Sequence, residues 1–164
     1  MILTGKEIIN EYNNKNIFIS PFSDKQVNPN SYNYRIGDSL KVYLKSDNGR
    51  PIFEIIQIPD EGYVLEPDKM YLSRTFEIIG SKKYAMSLIG RSSLGRLGLF
   101  LQISANLGHT TSQHNWTLEL VACKKIRIYK NMIIGQVSFW RNNGDVSGYE
   151  GFFGGINNIQ ESNI

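Results

Sequence analysis

The sequence predicts an all-β protein, a sandwich or a barrel, with one short helix near its start. Short apolar runs, alternating or continuous, recur along the chain at lengths that are typical of strands. Glycine, proline and asparagine residues separate these runs, as they do at turns. With 164 residues, of which 41% are hydrophobic and 20% charged, the chain has the size and composition of one globular domain.

The predicted helix lies at the N-terminus, and strands follow it. Thr4-Gly5-Lys6-Glu7 has the form of a capping box, and Ile8, Ile9 and Tyr12 follow at helical spacing. Asp47-Asn48-Gly49 marks a hairpin turn between two strands. The strands predicted for the first half of the chain are 17–19, 32–37, 40–44, 52–58, 63–65 and 70–79.

The second half continues as strands and ends in a segment of different composition. The predicted strands are 84–89, 99–103, 116–122, 126–129 and 132–140. From Asn142 onward, five glycines stand among aromatic and polar residues. We therefore predict a β domain over residues 1–141 and a Gly/aromatic tail over 142–164 that can close over a site.

Charge, hydropathy and cysteine content exclude several classes of function. A net charge of +3 is too small to indicate a nucleic-acid-binding surface. No apolar run reaches transmembrane length and the first residues lack the features of a signal peptide, so we expect no membrane partner and a cytoplasmic location. Cys123 is the single cysteine, which excludes an internal disulfide and a multi-cysteine metal site. We expect Cys123 to be buried as a small apolar residue.

The stretch Gly90–Gly98 is the first candidate for function, since it holds two arginines, two serines and three glycines in nine residues. Ser92 or Ser93 could cap a short helical turn whose outward N–H groups attract anions. Arg91 and Arg96 would add charge and bidentate donors. A phosphate cradle and a polar glycine-rich turn between two strands both fit this spacing.

Five motifs, spread over nearly the whole chain, resemble segments of one known family. They are Met1–Thr4, Pro29–Gly37, Gly90–Leu99, Thr117–Leu120 and Gly135-Gln136. The third matches Gly-Arg-Ser-Ser-Leu-x-Arg-Leu-Gly-Leu at every fixed position. The chain thus resembles the dCTP deaminase family of the dUTPase-like superfamily. This resemblance implies a distorted, jelly-roll-like β-barrel of the dUTPase-like type and a homotrimer with active sites between its subunits.

The resemblance also implies roles for individual residues. Glu119 would be the general acid/base, with Ser92 and Arg96 as further catalytic residues that arrange the water. Arg91 and Ser93 would face the phosphates of the nucleotide. The remaining substrate-binding residues would be Gln102, Ala105, His109 and Gln136. On strand pattern alone, Glu119 is a charged residue on a solvent face; the motif upstream of it favours catalysis.

The reaction implied by the resemblance is hydrolytic deamination of a deoxycytidine nucleotide, dCTP or a related one, to the deoxyuridine nucleotide and ammonia. Zinc cytosine deaminases need two cysteines beside a His or Cys ligand, and this chain has one cysteine. We therefore expect zinc-independent chemistry, with Mg²⁺ only as a companion of the phosphates. His109 and His114 could pair on a metal, but we interpret them as histidines of a surface loop.

Two departures from the family pattern leave alternatives open. Asn106–Ser112 stands where the family usually has Gly-x-Ile-Asp-Pro-Gly-Phe. The family's aspartate, which recognises deoxyribose and serves as a base in diphosphatase members, falls on His109, so dUTP diphosphatase is the less favoured activity. Gly151–Ile156 carries no lysine or arginine where the family has a cationic segment. The main alternative is a family member that binds a nucleotide or a partner protein without turnover.

Overall fold

Antiparallel strands make up most of the regular secondary structure of the described residues, as the sequence predicts. The computed structural model describes residues 1–48, 50–102, 105–149 and 157–161. Helix α1 spans Gly5–Asn13 and helix α2 spans Ser92–Gly95. The strands are β1 Ile17–Ser20, β2 Tyr32–Arg35, β3 Ser39–Asp47, β4 Arg50–Gln57, β5 Tyr63–Leu65, β6 Met70–Arg74, β7 Ile78–Ser81, β8 Tyr84–Gly90, β9 Leu99–Leu101, β10 Leu107–Gly108, β11 Gln113–His114, β12 Thr117–Ala122, β13 Ile126–Ile128 and β14 Ile133–Arg141.

The strands form four sheets that enclose one apolar core. The largest sheet has the order β4-β3-β6-β12-β9, and a second has the order β10-β8-β14-β2. Smaller sheets are formed by β1-β7-β11 and by β13-β5. The all-β class with a short N-terminal helix is therefore confirmed. Within the described residues, no helix is long and apolar enough to cross a membrane.

Helix α1 begins at the predicted capping box. The Oγ1 of Thr4 accepts a hydrogen bond from the backbone N–H of Glu7 at 3.4 Å, which satisfies one of the free donors of the first turn. Ile8 is fully buried against the sheets, and the ring of Tyr12 stacks on that of Phe22 with 4.0 Å between centroids. One face of the helix thus closes the core.

The core is unusually aromatic where β2, β8 and β14 meet. Tyr34 is fully buried, and its hydroxyl donates to the carbonyl oxygen of Ile89 at 3.0 Å. Gly135 lies directly against the Tyr34 ring, because a Cβ at this position would overlap the ring. A glycine is required here by close approach, and the contact fixes the end of β8 just before the Gly90–Gly98 stretch.

The strand predicted over residues 70–79 is wrong, since the chain leaves one sheet after β6 and enters another at β7. The cause is Glu77, which is fully buried. Its carboxylate accepts hydrogen bonds from the backbone N–H of Arg35 at 2.8 Å and from Nε of the same residue at 2.6 Å. Nε2 of Gln26 donates to it as well, at 3.1 Å. A buried carboxylate needs such donors, and the chain bends to supply them.

The position of Cys123 and two turns or strand ends also differ from, or only partly test, what the sequence predicts. Cys123 is exposed, not buried. Leu118, Leu120 and Ala122 point inward along β12, so the next residue points outward. The hairpin between β3 and β4 is confirmed by the pairing of their end residues, while Gly49 of its predicted turn lies outside the described residues. Of the predicted strand 99–103, the structure has a strand over Leu99–Leu101, Gln102 follows it outside the strand, and residue 103 lies outside the described residues.

Candidate functional site

Glu119 lies on the outer face of the five-stranded sheet. Its neighbours Leu118 and Leu120 are fully buried on the inner face, whereas Glu119 itself is half-buried. The sheet register pairs Glu119 with Leu72 on β6, and Leu72 in turn with Lys41 on β3. Residues paired in this way share one face, so these three side chains form a row across the sheet.

A cavity of about 480 Å³ opens beside Glu119. Of the predicted site residues, Gln102, Ala105, His109 and Glu119 line it. Its apolar wall includes Met70, Leu72, Leu107 and Trp116, and its polar rim includes Thr117, Gln160 and Glu161. An apolar wall with a few converging polar groups, at this volume, is typical of a small-ligand site.

Gln102 is hydrogen-bonded to the strand that carries Glu119. Its Oε1 accepts a hydrogen bond from the backbone N–H of Glu119 at 2.9 Å, and its own backbone N–H donates to the carbonyl oxygen of Glu119 at 3.3 Å. Its Nε2 donates to the carbonyl oxygen of Ala105 at 3.2 Å. With φ at +51°, Gln102 turns the chain out of β9. The side chain therefore positions two walls of the cavity at once.

His109 is exposed, as expected, and stacks on Tyr149 with 4.8 Å between ring centroids and 12° between ring planes. The backbone N–H of Tyr149 donates to Oγ1 of Thr111 at 2.8 Å. Nδ2 of Asn142 donates to Oγ1 of Thr110 at 3.0 Å. The described start of the predicted tail thus lies along the loop that replaces the family's aspartate segment.

His114 is not a surface-loop residue, which corrects the expectation from the sequence. It belongs to β11, is 7% exposed, and its ring lies 4.2 Å from that of Trp116. Burial lowers the pKa of His114, and a hydrogen bond to the carbonyl oxygen of Asn115 opposes this shift. In the described part of the chain, no group of three or more His, Cys, Asp or Glu residues is placed to hold a metal ion.

The helical turn α2 begins one residue earlier than a cap at Ser92 predicts, and two residues earlier than a cap at Ser93 predicts. Its N-cap is Arg91, whose carbonyl oxygen accepts the N–H groups of Leu94 and Gly95, each at 3.0 Å. Ser92 and Ser93 therefore lie inside the first turn, so neither is the cap. The Arg91 side chain makes no capping hydrogen bond, because a guanidinium has no acceptor for the N–H groups of the first turn.

The arginines and serines of this turn lie apart from the cavity beside Glu119. Arg91, Ser92, Ser93 and Arg96 are absent from the described residues that line it. Ser92, Ser93 and Arg96 are exposed. The structure thus brings Gln102, Ala105, His109 and Glu119 together and leaves the candidate phosphate residues on a different part of the surface.

Gln136 belongs to this second group. It lies on β14 opposite Ile89, close to the start of α2, and its Oε1 accepts a hydrogen bond from Oγ of Ser31 at 2.9 Å. This contact holds the amide so that its N–H groups face away from Ser31. Gln136 also lies outside the lining of the Glu119 cavity as described.

Comparison with known proteins identifies the family. A model described as dCTP deaminase-like matches residues 2–142. The chain belongs to this family. A relative from Hathewaya histolytica named "dCTP deaminase, dUMP-forming" is 46% identical over 155 residues, covering 91% of this chain and 88% of its own length. One of the same name from Clostridium botulinum (strain Alaska E43 / Type E3) is 42% identical over 166 residues, covering 99% and 95%.

A solved structure supports the fold assignment. The crystal structure of 2'-deoxycytidine 5'-triphosphate deaminase from Agrobacterium tumefaciens is similar, with a TM-score of 0.69 at 18% identity. The match covers 86% of this chain and 48% of that one, so the chain spans about half the length of that protein. At this identity the likeness shows the fold alone, and it confirms the fold class predicted from the sequence.

Sequence reasoning missed Gln160 and Glu161 at the rim of the cavity, and it missed Lys41, which contacts Glu161. Lys41 looked like an ordinary polar position of an alternating strand, and Gln160 and Glu161 lay in a tail without a motif. Only three-dimensional contact reveals that Lys41 forms an ion pair with Glu161. The Gly151–Ile156 part of the tail lies outside the described residues, and the division at residue 141 stays a prediction.

Proposed function

We propose that the chain deaminates dCTP or a closely related deoxycytidine nucleotide to the deoxyuridine nucleotide and ammonia. The observation that carries this proposal is the position of Glu119 on the wall of a nucleoside-sized cavity. The names of the relatives from Hathewaya histolytica and Clostridium botulinum point to the same substrate. A chain of this family with a half-buried carboxylate in such a cavity is an enzyme of the deaminase type.

One carboxylate is sufficient for the proton transfers of this reaction. Water adds to C4 of the cytosine ring while Glu119 takes its proton, and the same carboxyl group then protonates ring N3. Glu119 then takes the proton of the new C4 hydroxyl and passes it to the amino group, so that the C4–N bond breaks, ammonia leaves and the C4 carbonyl forms. The net change is one water consumed and one ammonia released. We propose that this chemistry proceeds without zinc and that Mg²⁺ accompanies only the phosphates.

We further propose a homotrimer in which each site is shared between subunits. On one chain the α2 group and the Glu119 cavity are separate, so a second copy is needed to bring them together. The sheet face that carries Glu119 also supports this arrangement, because four apolar residues on neighbouring strands of that face are each about 40–50% exposed: Tyr43, Met70, Phe100 and Val121. Such a patch is typical of a subunit interface.

The test is an ammonia-release assay with dCTP, dCMP and 5-substituted analogues, in the presence of Mg²⁺. We expect ammonia from one of them and its loss in Glu119→Gln. Glu54→Gln, the same change at an exposed position outside the cavity, should retain full activity. Ammonia release that survives in Glu119→Gln would contradict the assigned role of the carboxylate.

The same assay tests the shared site. Arg91→Ala and Glu119→Gln should each be inactive alone, and co-expression should restore part of the activity, because some mixed sites then hold both intact halves. Absence of any recovery in verified mixed trimers would contradict a site between subunits.

A nucleotide-binding protein without turnover is the second candidate, and His109 in place of the family's aspartate favours it. In that case no substrate would release ammonia, while a nucleotide would still raise the melting temperature. The change to histidine removes a carboxylate from the sugar side of the site, which is also why hydrolysis of dUTP is the less favoured activity.

A further inference from the structure

The C-terminal segment 157–161 lies against the outer face of the sheet that carries Glu119. The carbonyl oxygen of Asn157 accepts a hydrogen bond from Nη1 of Arg74 at 3.1 Å. The backbone N–H of Gln160 donates to Oγ1 of Thr117 at 3.2 Å. These contacts join the segment to β6 and β12, the strands on which Leu72 and Glu119 lie.

Glu161 reaches the cavity at the end of this segment. Its Oε2 accepts a hydrogen bond from Nζ of Lys41, whose side chain is 19% exposed. Lys41 stands two strands away from Glu119, a Cα separation of roughly 10 Å across the sheet. Glu161 and Glu119 both line the same cavity. The ion pair therefore holds a second carboxylate in the site, on the far side of Leu72 from Glu119.

The two oxygens of Glu161 have different environments. Nζ of Lys41 donates a hydrogen bond to Oε2, which fixes the direction of the carboxylate. Oε1 makes no protein hydrogen bond among the described contacts. An ionised carboxylate can only accept hydrogen bonds. The free oxygen thus offers a bound ring an acceptor and nothing else.

We propose that Glu161 is a specificity-determining residue that accepts a hydrogen bond from the exocyclic amino group of cytosine. Cytosine presents a donor at this position, whereas uracil presents an acceptor, and carboxylates are the usual partners of the cytosine amino group. Glu161 therefore favours the substrate base and repels the carbonyl oxygen of the product. This inference rests on the proposed function, since it concerns the base that the same cavity binds.

A purely structural role for the ion pair makes a different prediction. If Glu161 only fastens the C-terminal segment, then its loss weakens cytosine and uracil nucleotides alike. If Glu161 accepts a hydrogen bond from the amino group of cytosine, then its loss changes the ratio of the two affinities. The ratio of dissociation constants for dUTP and dCTP is therefore the decisive quantity.

The experiment measures both dissociation constants by calorimetry in a Glu119→Gln background, in which dCTP is not consumed. We expect Glu161→Gln to lower the dUTP/dCTP ratio about tenfold, the size of one hydrogen bond to a charged group. Lys41→Met should lower it in the same direction, and the two changes together should be less than additive because they act on one contact. Glu54→Gln is the matched control and should leave the ratio unchanged.

A ratio that Glu161→Gln leaves unchanged would overturn the inference, as would failure of both nucleotides to bind. A second measurement keeps Glu119 intact and determines the inhibition constant of dUTP against deamination of dCTP. We expect the ratio of this inhibition constant to the KM for dCTP to fall in Glu161→Gln. If the wild-type chain releases ammonia and the ratio does not move, only this inference fails. If the wild-type chain releases no ammonia, the proposed function fails.

Discussion

Gln102 provides the sharpest test of how the site is held together, because one side chain supports both Glu119 and Ala105. Gln102→Ala removes the acceptor of the Glu119 N–H and the donor to the Ala105 carbonyl oxygen. Gln102 is 8% exposed, so water cannot freely replace the lost partner. A polar group left unsatisfied in such a place costs about 1–3 kcal/mol, whereas the exposed Ala105 carbonyl can turn to water at little cost. We therefore expect a loss of about 1–3 kcal/mol in the unfolding free energy.

Urea unfolding measures this loss, with Gln113→Ala as the control. Gln113 is an exposed glutamine on β11, and its truncation should change the unfolding free energy by less than about 0.5 kcal/mol. A shift of the strand that carries Glu119 should also lower kcat/KM by roughly ten- to a hundredfold, since catalytic geometry tolerates little displacement. Gln102→Ala that unfolds like the control and keeps full activity would refute the reasoning.

Two further predictions concern the histidines. In His109→Asp, which restores the carboxylate of the family's aspartate at this position, we expect a larger share of dUMP among the products of dCTP, as measured by anion-exchange analysis. A wild-type chain that already makes dUMP as its main product would contradict this. For His114, burial lowers the pKa from its ordinary value of 6.5, so the unfolded chain binds the proton first as the pH falls. The unfolding free energy, measured by urea titration, should therefore fall as the pH drops from about 8 to about 5. This fall should be smaller in His114→Phe, and equal falls in both proteins would contradict the prediction.

Local patterns predicted most of the fold, because each strand has a buried and an exposed face. The alternation around Glu119 is visible in the sequence, and so is the capping box at Thr4. The break after β6 was not predictable, since residues 70–79 read as one continuous strand. Only the buried contacts of Glu77 with Arg35, which is 42 positions away in sequence, explain the turn there.

The candidate site also depends on contacts between residues that are distant in the sequence, which local patterns do not predict. The long motif placed Arg91, Ser92, Ser93 and Arg96 correctly on a polar turn after a strand, but it could not show that the turn lies apart from Glu119. A motif records residues that act on one ligand, whichever subunit each comes from. Lys41 and Glu161 were invisible for the opposite reason, because two ordinary charged residues 120 positions apart form no pattern until the chain folds.

One of the two departures from the family pattern, the loop Asn106–Ser112, lies within the described residues, and the other, Gly151–Ile156, lies outside them. The loop that holds His109 and the described start of the tail contact each other through the stacked ring of Tyr149 and the Asn142–Thr110 hydrogen bond. The hydrogen bonds between Glu119 and Gln102 involve neither segment. Under the proposed function, an alteration in the His109 loop changes how the sugar is held and leaves the hydrogen bonds that support Glu119 in place. This separation favours an enzyme that still deaminates the base but has an altered product or nucleotide preference. It disfavours a protein that has lost catalysis.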